Sequence, residues 1–368
     1  MVERTLSAYT RNGRDNNFNL LRFIAAFLVL LSHSFALAIG TSEAEPLRAS
    51  IGMTPGTIAV DIFFITSGFL VTRSLLTRRK ISDFIVSRAL RIYPGLIVSV
   101  VLTLFLCGLV FHLHDLGSYL SDDKTLTFLT QNCISLFSTA FTLPGVFTDN
   151  PFPNAVNGSL WTLPLELRMY ASLIIIWLIV LYFSKFQPDS LKVCFTTIPI
   201  ILLILYYKDC GFKFQENCLL RLVFLFYCGA LYYIWREKIP INWLIFSIAL
   251  SLLLAAAFSG SALFFPIYML SLPYLILFLA YVPAGFIRRY NSYGDYSYGI
   301  YIYAFPVQQM IAFWLKPVSV LRVFLLSALI SFVFAFLSWH LVEKRFLSLK
   351  KSGPLSFALP KWKNIPES

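Results

Sequence analysis

Charge is what this sequence has least of. Asp, Glu, Lys and Arg make up 13% of its 368 residues, against about 25% in an ordinary soluble domain. Hydrophobic residues make up 58% and aromatics 17%, which excludes a soluble globular enzyme and points to a polytopic membrane protein. Histidine is also scarce, at four. His112 and His114 alone lie close together, and two positions apart they point to different sides of a helix, so no metal site is expected. The six cysteines (Cys107, Cys133, Cys194, Cys210, Cys218, Cys228) form no Cys-x-x-Cys pair and lie mostly in apolar runs. They read as small packing residues, not as a disulfide or metal framework. There is no internal repeat, no Gly-rich phosphate loop and no low-complexity tract.

The charge that is present is one-sided, with 30 Lys and Arg against 18 Asp and Glu and a net charge of +12. Its placement argues against a nucleic-acid partner. Most cations sit in short segments between apolar stretches, as positive-inside topology requires, where they face the anionic lipid of the bilayer. Since a transmembrane helix needs about 20 mainly apolar residues, spans are expected near 18–39, 56–76, 92–113, 160–183, 192–207, 218–235, 241–258, 262–285, 294–315 and 320–343. That makes an all-α protein of about ten transmembrane helices. With the N-terminus in the cytoplasm, the segment before the first span, the cation-rich stretch 71–91 and the six cations after 343 all fall inside. The expected organisation is a cytoplasmic segment 1–17, a membrane domain 18–343 and a basic cytoplasmic tail 344–368. Residues 125–141 are apolar but short and carry Gln131 and Asn132. Counting them as a span would put the C-terminal cations outside, so a re-entrant or interfacial segment is expected. Ala36-Leu37-Ala38 imitates a signal-peptide cleavage site, but Arg22 and His33 inside the preceding run argue for a retained span.

Ionisable groups inside spans are costly and usually face a bundle interior or a water-filled cavity. Arg22 and His33 lie in the first span, Asp61 in the second, and Glu166 with Arg168 in the fourth. Eleven residues make about three helical turns, so Arg22 and His33 share a face about 16 Å apart. Counting rise from the expected span ends puts His33, Asp61 and Glu166 each about 8–9 Å from the outer edge. A histidine base oriented by a carboxylate is the ordinary kit for proton transfer. A structural His–carboxylate pair pinning helices together is the plainer alternative. Arg22 is either an anion anchor or a snorkelling interfacial arginine. Arg88 and Arg91, three apart on one helix face just before Pro94, are candidates for phosphate contacts within a cation-rich loop that also holds Arg73, Arg78, Arg79 and Lys80. The long segment 114–159 carries Asp115, Asp122, Asp123, Asn154 and Asn157, with Trp161 just beyond it. These suit a sugar-like ligand but equally suit any exposed loop.

Six stretches carry a family resemblance: NLLRFIAAFLVLLSHSF, VDIFFITSGFL, SRALRIYPG, SLWTLPLELRMY, YGDYSYGIYIYAFPV and SWHLVEKRF. In this order, from residue 19 to about 346, the chain resembles the membrane-bound acyltransferase-3 family of bacterial surface-glycan O-acyltransferases. The resemblance implies transfer of an acyl group, commonly acetyl, from cytoplasmic acyl-CoA to a hydroxyl of a polysaccharide, a lipopolysaccharide or a lipid-linked sugar. The implied place is the bacterial inner membrane, with acetyl-CoA or another acyl-CoA as co-substrate and no metal. Catalytic roles fall to His33, with Arg22 as its paired arginine, and to Glu166; shared depth, not the resemblance, adds Asp61 as an alternative carboxylate to orient His33. Donor contacts fall to Arg22, Arg88, Arg91, Ser67 and Gly68. Trp161, Asn157 and Tyr303 are candidate acceptor contacts. Many relatives carry a second histidine where this chain has Tyr301-Ile302-Tyr303-Ala304-Phe305-Pro306, and Tyr303 or Gln308 are candidates to replace it. A homo-oligomer is compatible with the sequence. The rival function is a transporter or flippase with an intramembrane proton relay; that class favours inverted repeats, and none is visible.

Overall fold

The computed structural model describes residues 5–11, 13, 15–78, 80–112, 114–184, 188–210, 219–260 and 263–349. Arg79, Cys218 and the tail from 350 onward lie outside the described residues. All ten apolar segments are helical. They are α1 (Phe18–Ile39), α2 (Pro55–Thr77), α3 (Ile81–Phe111), then α5 (Thr162–Ser184), α6 (Pro188–Cys210), α7 (Leu219–Ile234), α8 (Trp243–Phe258), α9 (Phe264–Tyr281), α10 (Ser297–Trp314) and α11 (Val320–Ser338). Between α3 and α5 lies the short α4 (Asp123–Ile134). The described residues form no strand beyond one isolated bridge between Thr5 and Pro240.

Seven of these segments are long and apolar enough to cross a membrane: α1, α2, α3, α5 with the turn before it, α6, α9, and α11 with its continuation to Leu349. This is a multi-pass helical membrane protein. Leu321, Leu325 and Leu329 repeat at every fourth position of α11 and are all exposed, an apolar stripe at helical spacing that faces lipid. The 12 residues of α4 span only about 18 Å, too short to cross. Near the end of α4, the Asn132 side chain ties the following segment back to the helix, donating to the Ala140 carbonyl (2.9 Å) and accepting from the Ala140 N–H (3.1 Å).

Helix ends follow local chemistry. Thr54 caps α2 by accepting from the Thr57 N–H (3.1 Å), with Pro55 at the first helical position, where its missing N–H costs nothing. Helix α1 stops at Gly40, whose φ of 89° is left-handed. Helix α2 is largely buried, packed between α1 and α7. Its approach to α7 is set by two glycines. A Cβ on Gly68 would lie 1.9 Å from the Phe226 carbonyl oxygen, and one on Gly229 would lie 2.2 Å from that of Ile65. Small residues at such crossings let backbones touch.

The segment between α4 and α5 does not stay outside the bundle. Val146, Phe147 and Val156 are fully buried. Asn157 donates to the Ile302 carbonyl (2.9 Å), five residues into α10, while Asn150 donates to Gln309. Helix α5 therefore begins within the protein.

Candidate active site

One end of the bundle gathers arginines around a carboxylate. Helix α1 supplies Arg22, α3 supplies Arg88 and Arg91, and the non-helical Gly294–Tyr296 ahead of α10 supplies Asp295. One oxygen of Asp295 accepts from both Arg22 (3.1 Å) and Arg91. Its other oxygen accepts from the Ser297 hydroxyl (2.5 Å) and N–H (3.3 Å). Arg91 also reaches Glu343 (3.5 Å), which is 1% exposed. Glu343 closes a π-helical turn, Trp339–Glu343, that continues α11; such turns often re-aim a side chain at a functional site. Arg88 differs from its neighbours. Its Nε is buried and has no hydrogen-bond partner.

Two small adjoining cavities share Arg22, Glu166 and Tyr298 in their walls. One adds Ser67, Arg88, Arg91 and Tyr170. The other runs up α2 past Phe64 and Phe63 to Val60 and is bounded by Thr162 and Tyr301. Within them Glu166 accepts from the Ser67 hydroxyl (2.9 Å) and from the Tyr170 hydroxyl one turn along its own helix. Ser67 and Tyr170 lie 3.1 Å apart, so the three form a closed hydroxyl–carboxylate cluster beside the arginines. This floor suits an anionic, hydroxyl-bearing or amide-bearing ligand.

His33 stands apart from that floor. It lies on α1 about 16 Å along the axis from Arg22, partly exposed, with its Nδ1 buried and unpartnered. Its ring meets Phe305 of α10 edge-on, with centroids 5.1 Å apart. Phe305 is one turn beyond Tyr301, which lines the cavity, and its ring lies against Gly158. The ring neighbour of the imidazole is thus one helical turn from a tyrosine of the cavity wall.

The expected convergence of His33, Asp61 and Glu166 is corrected. Asp61, fully buried, pairs with Arg221 of α7 and accepts from the Tyr268 hydroxyl of α9 (2.6 Å). Depth alone could not reveal this. Asp61 and Gly68 are seven residues apart, hence within about 20° on α2, and Gly68 faces α7. Gly56, five residues before Asp61 and so about 140° away around the helix, faces Ser32 of α1. Asp61 therefore points away from α1. Glu166 misses His33 for a different reason. Because α5 starts inside the bundle, Glu166 meets Ser67, about 18 Å along α2 from Pro55, at the arginine end.

Other expected contacts also find their places. Ser67, Arg22, Arg88 and Arg91 share the cavity wall, whereas Gly68 is consumed by the α2–α7 crossing. Asn157 caps the turn Gly158–Trp161 by accepting from the Ser159 N–H (3.2 Å). Tyr303 is buried and stacks on Phe334 (5.5 Å). Trp161 is 37% exposed at the end of that turn. Arg168 donates to the Leu136 carbonyl (3.2 Å), holding the segment before α5. Sequence reasoning missed Asp295, Glu343, Tyr170 and Arg221. Arg221 carried the clearest signal, since it is an arginine inside the apolar run LLRLVFLFYC.

Against this geometry, comparison with known proteins is decisive on family. The acyltransferase-3 pattern, described as an acyltransferase domain, matches residues 15–340. The chain belongs to the acyltransferase-3 family. An O-acetyl transferase of Shigella phage Sf6 is 30% identical over 351 residues, covering 93% of this chain and 98% of that protein. Nodulation protein 10 of Rhizobium leguminosarum bv. viciae is 32% identical over 178 residues, 44% of each chain. No solved structure matches the chain. This acyltransferase-3 protein is an enzyme, an O-acetyltransferase built into a helical membrane bundle.

Proposed function

We propose that this protein moves an acetyl group from cytoplasmic acetyl-CoA, or a related acyl-CoA, to a hydroxyl of a bacterial surface glycan or its lipid-linked precursor. It would act in the cytoplasmic membrane, with ten spans and both termini inside. The observation that carries the reading is the meeting of Arg22, Arg88 and Arg91 in one cavity wall with Ser67 and Glu166, beside the helix that also bears His33. Guanidinium groups recognise phosphate through charge-assisted hydrogen bonds. The buried, unpartnered Nε of Arg88 fits an anion that supplies the missing acceptor.

In this reading the arginines hold the phosphates of CoA, and the acyl arm runs along the cavity beside α2 toward His33. His33 takes the proton of the acceptor hydroxyl as that oxygen attacks the thioester carbon, and CoA leaves as the thiolate that regains a proton. Asp61 has no part in this chemistry, and the cluster of Glu166, Ser67 and Tyr170 positions the donor. The phage relative, an O-acetyl transferase, favours acetyl as the group moved.

The test uses radiolabelled acetyl-CoA with membranes carrying the intact chain or His33→Ala at matched expression. Label is expected in the glycan fraction with the intact chain and at least about 100-fold less with the variant, the scale of lost general-base catalysis. Equal labelling would remove His33 from the mechanism. Label on no glycan with either chain would return the transporter reading.

A further inference from the structure

Asp295 occupies an odd place for a carboxylate in an enzyme that handles an anionic donor. It is 7% exposed and is bonded to Arg22 and Arg91, two arginines of the cavity wall. One of its oxygens is shared between Arg22 and Arg91, which come from two different helices. A phosphate bound by Arg22 and Arg91 would compete with that oxygen for the same guanidinium groups, and like charges brought close together repel strongly where water is scarce.

We infer that Asp295 is an internal stand-in for a donor phosphate: it occupies the arginine pair in the free enzyme and is displaced when acyl-CoA binds. The inference rests on the donor reading above and adds to it a residue that limits donor affinity. Three observations support displacement over a fixed role. First, a carboxylate offers one shared oxygen to two arginines here, whereas a phosphate presents three acceptor oxygens and can also satisfy the orphaned Nε of Arg88. Second, Asp295 belongs to neither flanking helix. It follows Gly294, whose φ of 133° is open to glycine and strained for other residues, so a backbone pivot adjoins it. Third, Arg91 does not lose all its compensation when Asp295 leaves, because Glu343 stays within reach at 3.5 Å. The arginine is therefore stable through the exchange, and the exchange itself swaps one counter-charge for another without leaving a buried cation bare.

The opposing view is that Asp295 is a permanent brace that aims Arg22 and Arg91. The two views predict opposite signs for the same substitution. Asp295→Asn keeps the side-chain shape and its acceptor for Ser297 but removes the charge. Binding of CoA to the purified full chain in lipid nanodiscs is measured for the intact protein, Asp295→Asn and Asp295→Glu, with the phosphate-free S-acetylpantetheine as second probe. Displacement predicts that Asp295→Asn binds CoA about tenfold more tightly, the scale of one partly screened charge contact, while S-acetylpantetheine is unaffected and Asp295→Glu gains nothing. Weaker CoA binding by Asp295→Asn establishes the brace and overturns the inference. A second measurement needs no variant: CoA added to the intact chain should raise amide hydrogen exchange across residues 294–299, where Asp295 holds Ser297. Unchanged exchange with CoA demonstrably bound also overturns it. Failure of the intact chain to bind CoA at all would instead overturn the donor reading.

Discussion

The assignment of Asp61 as a structural residue leads to the sharpest stability prediction. Its carboxylate is fully buried, Arg221 opposite is 2% exposed, and the Tyr268 hydroxyl completes the triad at 2.6 Å. Replacing Arg221 with Leu leaves a buried, uncompensated charge. Removing one partner of such a pair costs about 3–5 kcal/mol, a factor of roughly 10²–10⁴ in the folded-to-unfolded ratio. The cost is expected to fall sharply in the double variant Asp61→Asn/Arg221→Leu, since the introduced asparagine is neutral and can still accept from Tyr268. A neutral replacement of both partners is often nearly free. The assay is the fraction of protein remaining monodisperse by size-exclusion chromatography after heating in detergent, read beside transferase activity. Equal destabilisation of the single and double variants would refute the ion-pair account. A stable Asp61→Asn protein that has lost transfer would return Asp61 to the chemistry.

Gly68→Ala should be poorly expressed or heat-labile by the same chromatographic assay. Its methyl group would sit 1.9 Å from the Phe226 carbonyl oxygen, and a backbone atom cannot move aside as a side chain can. Phe305→Leu shrinks the ring that meets His33 edge-on, one turn beyond Tyr301 of the cavity wall. It should raise release of free CoA without acceptor several-fold, an order set by water reaching a normally shielded thioester; a thiol assay reads it, and an unchanged rate would show that Phe305 shields nothing.

Much of this architecture follows from local properties. Every apolar run long enough to matter became a helix, because in a bilayer the backbone must satisfy its own hydrogen bonds, and helix formation over such a run needs no knowledge of neighbours. The spacing of Arg22 and His33 was equally available, since both lie on one unbroken helix.

What no single segment contains is the rotation of one helix against another. Rise along an axis placed Asp61 at a depth, but the crossing of Gly68 with Gly229 turned it toward α7 and Arg221, away from His33. Glu166 moved to the arginine end because buried residues between 146 and 160 draw α5 into the bundle, a long-range packing choice that hydropathy does not encode. Nothing in the sequence around Asp295 or Glu343 tells that the bundle brings arginines to them. Composition and spacing by themselves determined a helical membrane protein with a cation and an imidazole on one helix. Tertiary packing alone decided which carboxylates those groups meet, because partners are set by azimuth and distance between helices, and sequence records only order along each one.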